Sequence, residues 1–201
     1  MTEPVPEAAA APTGETAPAA SPRIYVASLS DYNAGVLHGT WLDASEDVEA
    51  MQSEIDGMLA TSPTTRRHGD VAEEWAIHDH EGWGGIQLSE YESLEIIGRL
   101  AEGSAAHGPA FAAWVSLVGT EQGSSVEDFE DHYHGQFDSL EGYGESMLDE
   151  MGVKLDELPG VPEGLWPYVS LDAAGWVRDM QCGGEIAAVE GEGGVYVFWG
   201  I

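Results

Sequence analysis

The residues with the clearest capacity for chemistry lie in the stretch EEWAIHDHEGW, which runs from Glu73 to Trp83. His78 and His80 stand two positions apart there, among carboxylates. If the stretch is a strand, these side chains point to the same face and form a bidentate pair for a metal ion. His132 and His134, in DHYHGQ, form a second such pair. A histidine-ligated metallohydrolase is therefore one hypothesis for this sequence.

The spacing of these histidines is only weak support for a metal site. Seven histidines in 201 residues produce chance pairs, and the pair in DHYHGQ would face apart on a helix, where positions i and i+2 do not share a face. Carboxylates paired as acid and base are no more informative, because so acidic a chain brings carboxylates together in nearly any fold.

Other catalytic signatures are missing from the sequence. It has no Gly-rich phosphate loop with a lysine and no G-x-S-x-G motif, and GWGG at Gly82–Gly85 is typical of a turn. Cys182 is the single cysteine, which excludes an intrachain disulfide and a cysteine-based zinc site. We expect no catalytic residue, no metal and no cofactor, and hence a protein that is not an enzyme.

Charge is the abnormal property of the chain. Against 37 acidic residues there are only 6 basic ones, giving a net charge of -31 and a pI near 4.1. Binding to nucleic acid or to an anionic membrane requires clustered Lys and Arg, so neither partner is expected. A partner with a strongly basic surface is favoured, because complementary fields accelerate encounter.

Localisation follows from what the sequence lacks. No apolar run approaches the roughly 18 residues of a membrane span, and the N-terminus has no basic segment followed by an apolar one. With a single cysteine, this predicts a soluble protein of the reducing cytoplasm.

The pattern of residues predicts an α+β fold made of an elongated chain of small domains. Residues 1–22, rich in Pro and Ala, are expected to be a disordered tail. Residues 23–91 predict an N-terminal α+β domain, with strands at 24–30, 38–44 and 73–80, a helix between the second and third strands, and a loop at 61–72. On the third strand, alternation places Asp79 on the same face as Trp75 and Ile77.

The remaining two segments are predicted as a central helical domain, residues 92–126, and a C-terminal acidic α+β domain, residues 127–201. Ser89 and Glu92 have capping-box spacing before the first central helix, and Pro109 suits the first turn of a second one. Helices are expected near 125–133 and 139–151, followed by short strands in GWVRDM, EIAAVE and GVYVFWG.

The negative charge is uneven along the chain. Residues 23–91 carry a net charge of -10, residues 92–126 only -3, and residues 127–201 carry -15. The other alternative is an acidic soluble protein whose charge has no binding role. Such a protein should be acidic throughout, so the uneven distribution argues against it.

Two blocks of the sequence, IYVASLSDYNAGVLHGTWLDA (Ile24–Ala44) and EEWAIHDHEG (Glu73–Gly82), together with the acidic C-terminal region, closely resemble the ArdA-type antirestriction proteins of plasmids, transposons and phages. The resemblance implies a non-enzymatic mimic of B-form DNA, with a three-domain protomer that forms a homodimer through its C-terminal domain. Such a protein occupies the DNA-binding groove of type I restriction-modification enzymes, at the methyltransferase and specificity core, and blocks restriction and often methylation.

On this interpretation the functional groups are exposed carboxylates, and the pair Arg66 and Arg67 should point away from them. In the first domain the expected carriers are Asp43, Glu46, Asp47, Glu49, Glu54, Asp56, Glu73, Glu74, Asp79 and Glu81. In the last domain they are Glu127, Asp128, Glu130, Asp131, Asp138, Glu141, Glu145, Asp149, Glu150, Asp156 and Glu157. Duplex DNA carries about one charge per 1.7 Å of axis, so two chains of charge -31 match a duplex of at most about 100 Å.

Overall fold

The computed structural model describes residues 21–68, 71–152, 154 and 160–201, so the predicted tail lies almost wholly outside the described residues. The fold is mixed α+β with two three-stranded antiparallel sheets, which confirms the predicted class. The strands are β1 Arg23–Ser28, β2 Gly39–Asp43, β3 Trp75–Glu81, β4 Tyr133–Phe137, β5 Ile186–Gly191 and β6 Gly194–Trp199. The helices are α1 Leu29–Asn33, α2 Val48–Ala60, α3 Pro63–His68, α4 Leu94–Val118, α5 Thr120–Gly123, α6 Val126–His132, α7 Leu140–Glu150 and α8 Ala173–Gly183, with a 3₁₀ helix at Glu163–Tyr168.

The N-terminal sheet has the order β2-β1-β3, with β1 in the middle. Ile24 and Val26 alternate along β1 and are fully buried, as expected for a strand with one face on a core. Helix α2 packs on that core through Met51 and Ile55, both of which are also fully buried. The three predicted strands and the helix of this region are confirmed.

A β-bulge in β3 changes which residues face the core. Tyr25 of β1 pairs with Asp79, whereas the next residue, Val26, pairs with Ile77, so His78 is the extra residue. A bulge of this kind reverses the alternation of side chains beyond it. Asp79 therefore shares the face of Tyr25, and the prediction that it shares the face of Ile77 is wrong.

The predicted loop at residues 61–72 also needs correction. Residues 61–72 are not all loop, because α3 forms within them. Ser62 accepts a hydrogen bond from the Thr65 amide at 3.2 Å, and the Asp31 carboxylate accepts one from the Thr64 amide at 2.8 Å. These two contacts satisfy N–H groups of the first turn that have no partner within the helix.

Helix α4 is two helical segments joined at a kink. Gly108 has φ 57° and ψ -136°, and Pro109 follows it. The predicted second helix beginning at Pro109 is thus confirmed. The start of α4 was assigned incorrectly from the sequence, because Ser93 and not Ser89 is the N-cap, accepting a hydrogen bond from the Ile96 amide at 3.2 Å.

In the C-terminal region, α6, α7, β5 and β6 are as predicted, but GWVRDM is part of helix α8 and is not a strand. Asp172 caps this helix by accepting a hydrogen bond from the Gly175 amide at 2.8 Å. Val177 and Met180, three positions apart, are both buried. The segment DHYHGQ is divided between the end of α6 and β4.

The C-terminal sheet, of order β4-β6-β5, separates two hydrophobic cores. The first core is the cluster that includes β1, α2, α4 and α6 residues together with Tyr196 and Phe198 of β6. The second core includes Val195 and Val197 of the same strand with residues of α7 and α8. Strand alternation explains this division, since neighbouring β6 residues point to opposite faces.

An aromatic cluster attaches the C-terminal sheet to the central helices. The ring of Phe198 lies 5.7 Å from Trp114 of α4 and 5.5 Å from Tyr133 of β4, centroid to centroid. Phe129 of α6 contacts the same ring at 6.2 Å. Residues from all three predicted domains therefore share the first core, and the three-domain division stays a prediction. Among the described residues, no helix is both long enough and apolar enough to cross a bilayer.

Candidate functional site

The outer face of α2 shows how the fold exposes carboxylates. Met51 and Ile55 occupy the buried face of the helix, so Glu49, Glu54 and Asp56, at the intervening positions, are exposed. Amphipathic spacing thus presents negative charge to solvent from Glu49 to Asp56.

Asp47 and Asp43, at the approach to α2, have local structural roles. Asp47 is exposed but caps α2 by accepting a hydrogen bond from the Ala50 amide at 2.8 Å. Asp43 is half-buried and accepts two hydrogen bonds from Ser45, from the hydroxyl at 2.6 Å and from the amide at 2.9 Å. The Ser45 hydroxyl, the Ser45 amide and the nearby Arg23 charge lower the pKa of Asp43 below its ordinary value. Both residues therefore carry charge at positions fixed by the backbone.

The carboxylates around β3 form the second exposed group. Glu73 and Glu74 precede the strand and are exposed. Asp79, which the bulge turns outward, accepts a hydrogen bond from the His80 amide at 2.8 Å. Glu81 pairs with Arg23 at 3.0 Å. The stretch Glu73–Trp83 thus forms an acidic edge of the N-terminal sheet.

Helices α6 and α7 carry the third group. In α6 the fully buried Phe129 fixes which face is outward, and Glu127, Glu130 and Asp131 are exposed while Asp128 is half-buried. In α7 the buried residue is Tyr143. The exposed carboxylates at and within α7 are Asp138, Glu141, Glu145, Asp149 and Glu150.

Of the predicted carriers that the structure describes, all are exposed except the half-buried Asp43 and Asp128. Asp156 and Glu157 lie outside the described residues. Exposure is what the proposed role requires, but the role itself stays a prediction for every one of these residues.

Further exposed carboxylates were not among the predicted carriers. They are Glu90, Glu95, Glu102, Glu121, Glu163, Asp172, Asp179, Glu185, Glu190 and Glu192. The acidic residues of α8 and the β5–β6 hairpin are absent from the predicted carriers, although the segment 127–201 that contains them has the largest net negative charge. Helical spacing around Val177 is the signal that places Asp179 on an exposed helix face. Among described carboxylates only Asp31 and Glu92 are buried.

The two buried carboxylates support the fold. Glu92 accepts a hydrogen bond from the Thr120 hydroxyl at 2.8 Å, which joins the start of α4 to α5. Asp31 caps α3, as described above. Burial by itself raises the pKa of Asp31, but the hydroxyls of Thr64, Ser62 and Ser28 favour the charged form and hold its pKa well below the ordinary value.

Cations neutralise little of this charge. Among the arginine side chains that the structure describes, only Arg23 makes an ion pair with a carboxylate. Arg66, at the exposed side of α3, and Arg178 are solvent-exposed, and Arg99 donates to the Glu95 carbonyl oxygen at 3.3 Å. The described surface therefore presents carboxylates largely without opposite charges beside them.

The histidines do not assemble into a metal centre in the described part of the chain, where no group of three or more His, Cys, Asp or Glu side chains is placed to hold an ion. His78 meets the ring of Tyr32 edge-on at 4.6 Å. His132 donates from Nδ1 to the Asp128 carbonyl oxygen at 2.7 Å, and His134 packs edge-on against Tyr143 at 5.5 Å. These contacts are structural.

A sequence model of the family described as antirestriction protein (ArdA) matches residues 24–195 of the 201. This chain belongs to the ArdA family. The family match begins in β1 and ends in β6, so it covers both sheets and the eight α-helices that the structure describes. A search of curated proteins finds no match to the chain.

Membership of the ArdA family implies an antirestriction function. ArdA proteins are inhibitors, and the family implies interaction with restriction-modification enzymes. In this ArdA protein exposed carboxylates dominate the charge of the described surface, whereas His78, His132, His134 and the two buried carboxylates make internal contacts.

Proposed function

We propose that this ArdA protein inhibits restriction by imitating the phosphate backbone of duplex DNA with its exposed carboxylates. The observation that carries the proposal is the exposure of carboxylates on α2, β3, α6 and α7, with little neutralisation by neighbouring cations. A DNA-binding enzyme gains much of its affinity for DNA from contacts between Lys or Arg and phosphates. Carboxylates at comparable density compete for those same cations.

The partner proposed is a type I restriction-modification enzyme, bound at the DNA groove of its methyltransferase and specificity core. Phosphate contacts position an enzyme on DNA but carry no sequence information. A mimic that offers no base edges should therefore inhibit enzymes of different sequence specificity, and should interfere with modification as well as with cleavage. In this proposal the protein has no catalytic role, does not bind nucleic acid, and acts in the cytoplasm with its target.

The proposal includes a homodimer formed through the region 127–201. Each chain carries a net charge of -31, and a dimer doubles the length of charged surface that one binding event can present. The tail and the buried carboxylates do not contribute to this surface, so the effective charge is smaller than the formal charge.

The alternative is an acidic protein whose charge serves solubility alone. Charge for solubility is expected to be spread over the whole surface. The central segment instead combines few acidic residues with one buried carboxylate, Glu92. The metallohydrolase alternative has no supporting side-chain arrangement among the described residues.

A cleavage assay with a purified type I enzyme and unmodified plasmid tests the proposal. The ArdA protein should prevent cleavage when mixed with the enzyme before the plasmid is added, and excess duplex DNA lacking a recognition site should relieve the inhibition. Inhibition that such carrier DNA leaves unchanged would contradict competition for the DNA groove.

A further inference from the structure

A small cavity beside β3 is lined by two aromatic residues and by two carboxylates that have no partner among the described residues. The cavity has a volume of about 400 Å³ and is lined by Leu29, Glu73, Glu74, Trp75 and Tyr91. Among the described residues, neither the Glu73 nor the Glu74 side chain takes part in a hydrogen bond or an ion pair. Tyr91 is 68% exposed although it is a large aromatic residue.

The backbone fixes the walls of this cavity. The Leu29 amide donates to the Glu74 carbonyl oxygen at 3.0 Å, which holds the start of β3 against the end of β1. The Ile77 amide donates to the Glu90 carbonyl oxygen at 2.9 Å, which places the residue before Tyr91 alongside β3. Trp75 is half-buried and packs against the first core. Trp75 and Tyr91 therefore line the cavity from separate segments.

We propose that this cavity receives an arginine side chain of the partner enzyme, an inference that rests on the proposed function. A guanidinium is planar and weakly hydrated, so it stacks on aromatic rings and binds carboxylates with two parallel hydrogen bonds. The cavity offers both kinds of partner, and Leu29 offers an apolar surface for the aliphatic part of the side chain. An enzyme that binds DNA phosphates supplies arginines at its groove.

The same sheet already contains one guanidinium held by an aromatic ring and a carboxylate together. The guanidinium carbon of Arg23 lies 5.1 Å from the centre of the Trp41 ring, and Arg23 Nη1 lies 3.0 Å from Glu81 Oε1. The cavity at Trp75 and Tyr91 repeats the combination of aromatic ring and carboxylate without an internal arginine. An enzyme arginine bound in this cavity makes a defined contact, in addition to the general attraction between the acidic surface and the basic groove.

The test is a titration of the full-length protein against a purified type I methyltransferase core, with variants that separate ring from charge. Tyr91→Ala and Tyr91→Leu should each weaken binding by about 3-fold to 30-fold, because both remove the aromatic face. Tyr91→Phe should bind within about 2-fold of wild type, since Phe keeps the face. Tyr168→Ala, at an 85% exposed tyrosine, is the matched control and should leave binding unchanged.

A double-mutant cycle shows whether the ring and the carboxylates hold the same cation. In a Glu73→Gln, Glu74→Gln background, Tyr91→Ala should weaken binding by less than about 2-fold, because the arginine is already lost. In a Glu141→Gln, Glu145→Gln background, which removes the same charge elsewhere, Tyr91→Ala should keep its full effect. Additive effects in both backgrounds, or Tyr91→Phe as damaging as Tyr91→Ala, would overturn the arginine cavity alone. Failure of the wild-type protein to bind would overturn the proposed function and this inference with it.

Discussion

Removing exposed charge in steps gives a quantitative prediction for inhibition. Glu49 and Glu54 on α2 and Glu141 and Glu145 on α7 are exposed, and none of the four side chains takes part in a hydrogen bond or ion pair within the described residues. Replacing all four by Gln removes four of the 31 net negative charges and leaves side-chain size nearly unchanged. Each exposed ion pair with the enzyme contributes about 0.2 to 1 kcal/mol, so the four together contribute about 1 to 4 kcal/mol.

With each 1.4 kcal/mol equal to a factor of ten, the quadruple variant should bind and inhibit between about 5-fold and about 700-fold less well. Each single variant should lose no more than about 5-fold. The assay is the protein concentration that halves plasmid cleavage by a type I enzyme. Replacing the same four residues by Asp keeps the charge and is the matched control, with an expected change within about 2-fold. A quadruple Gln variant as potent as wild type, or one single variant that loses all inhibition with its fold intact, would refute distributed charge mimicry.

Three further predictions concern the fold that holds this surface. Asp31→Asn should lower the free energy of unfolding by about 1.5 to 3 kcal/mol at pH 7. Because the folded-state pKa of Asp31 is depressed, denaturant titrations should show this difference from wild type shrinking as the pH falls below about 4. A difference that does not depend on pH would contradict the charged state assigned to Asp31. A β-carbon at Gly103 would overlap the buried ring of Phe111, so Gly103→Ala should lower the midpoint of thermal unfolding. Gly98 has open space around it, so Gly98→Ala should raise the midpoint, because Ala has the higher helix propensity. Equal shifts for the two variants would contradict this packing. Phe198→Ala removes a fully buried ring between the C-terminal sheet and α4. It should lower the free energy of unfolding, measured by urea denaturation, by about 3 to 5 kcal/mol. A loss below about 1 kcal/mol would contradict the packing of this ring.

Periodicity was sufficient to predict most elements of this fold. The spacing of Met51 and Ile55 gave α2, the alternation around Val26 gave β1, and Pro109 marked the second half of α4. In each case the local pattern and the tertiary packing favour the same structure, because the apolar face that the spacing creates is the face that the core buries.

The errors arose where a local contact decides the structure. Alternation cannot reveal the bulge at His78, because a bulge depends on how β3 pairs with β1. This bulge turns Asp79 to the outer face of the sheet. Helix α8 was mistaken for a strand because Trp176 and Val177 favour strands in a short window, whereas the cap at Asp172 and the burial of Met180 establish a helix.

The candidate surface was predictable in kind but not in extent. Composition alone indicated exposed carboxylates and a basic partner. It could not distinguish the buried Asp31 and Glu92 from the exposed majority, since burial of a carboxylate depends on donors such as the Thr120 hydroxyl and the Thr64 amide, which come from distant segments. The cavity at Tyr91 required three segments to be placed side by side.

The central claim is that this protein and duplex DNA compete for the same cations of a type I enzyme. The most direct test is an equilibrium titration of the full-length protein against a purified methyltransferase core at rising salt, with duplex DNA as competitor. Affinity should fall steeply as salt increases, and duplex DNA should displace the protein completely, because exposed charge pairs are screened within about 10 Å at 0.1 M salt. Binding that neither salt nor DNA weakens would contradict the account.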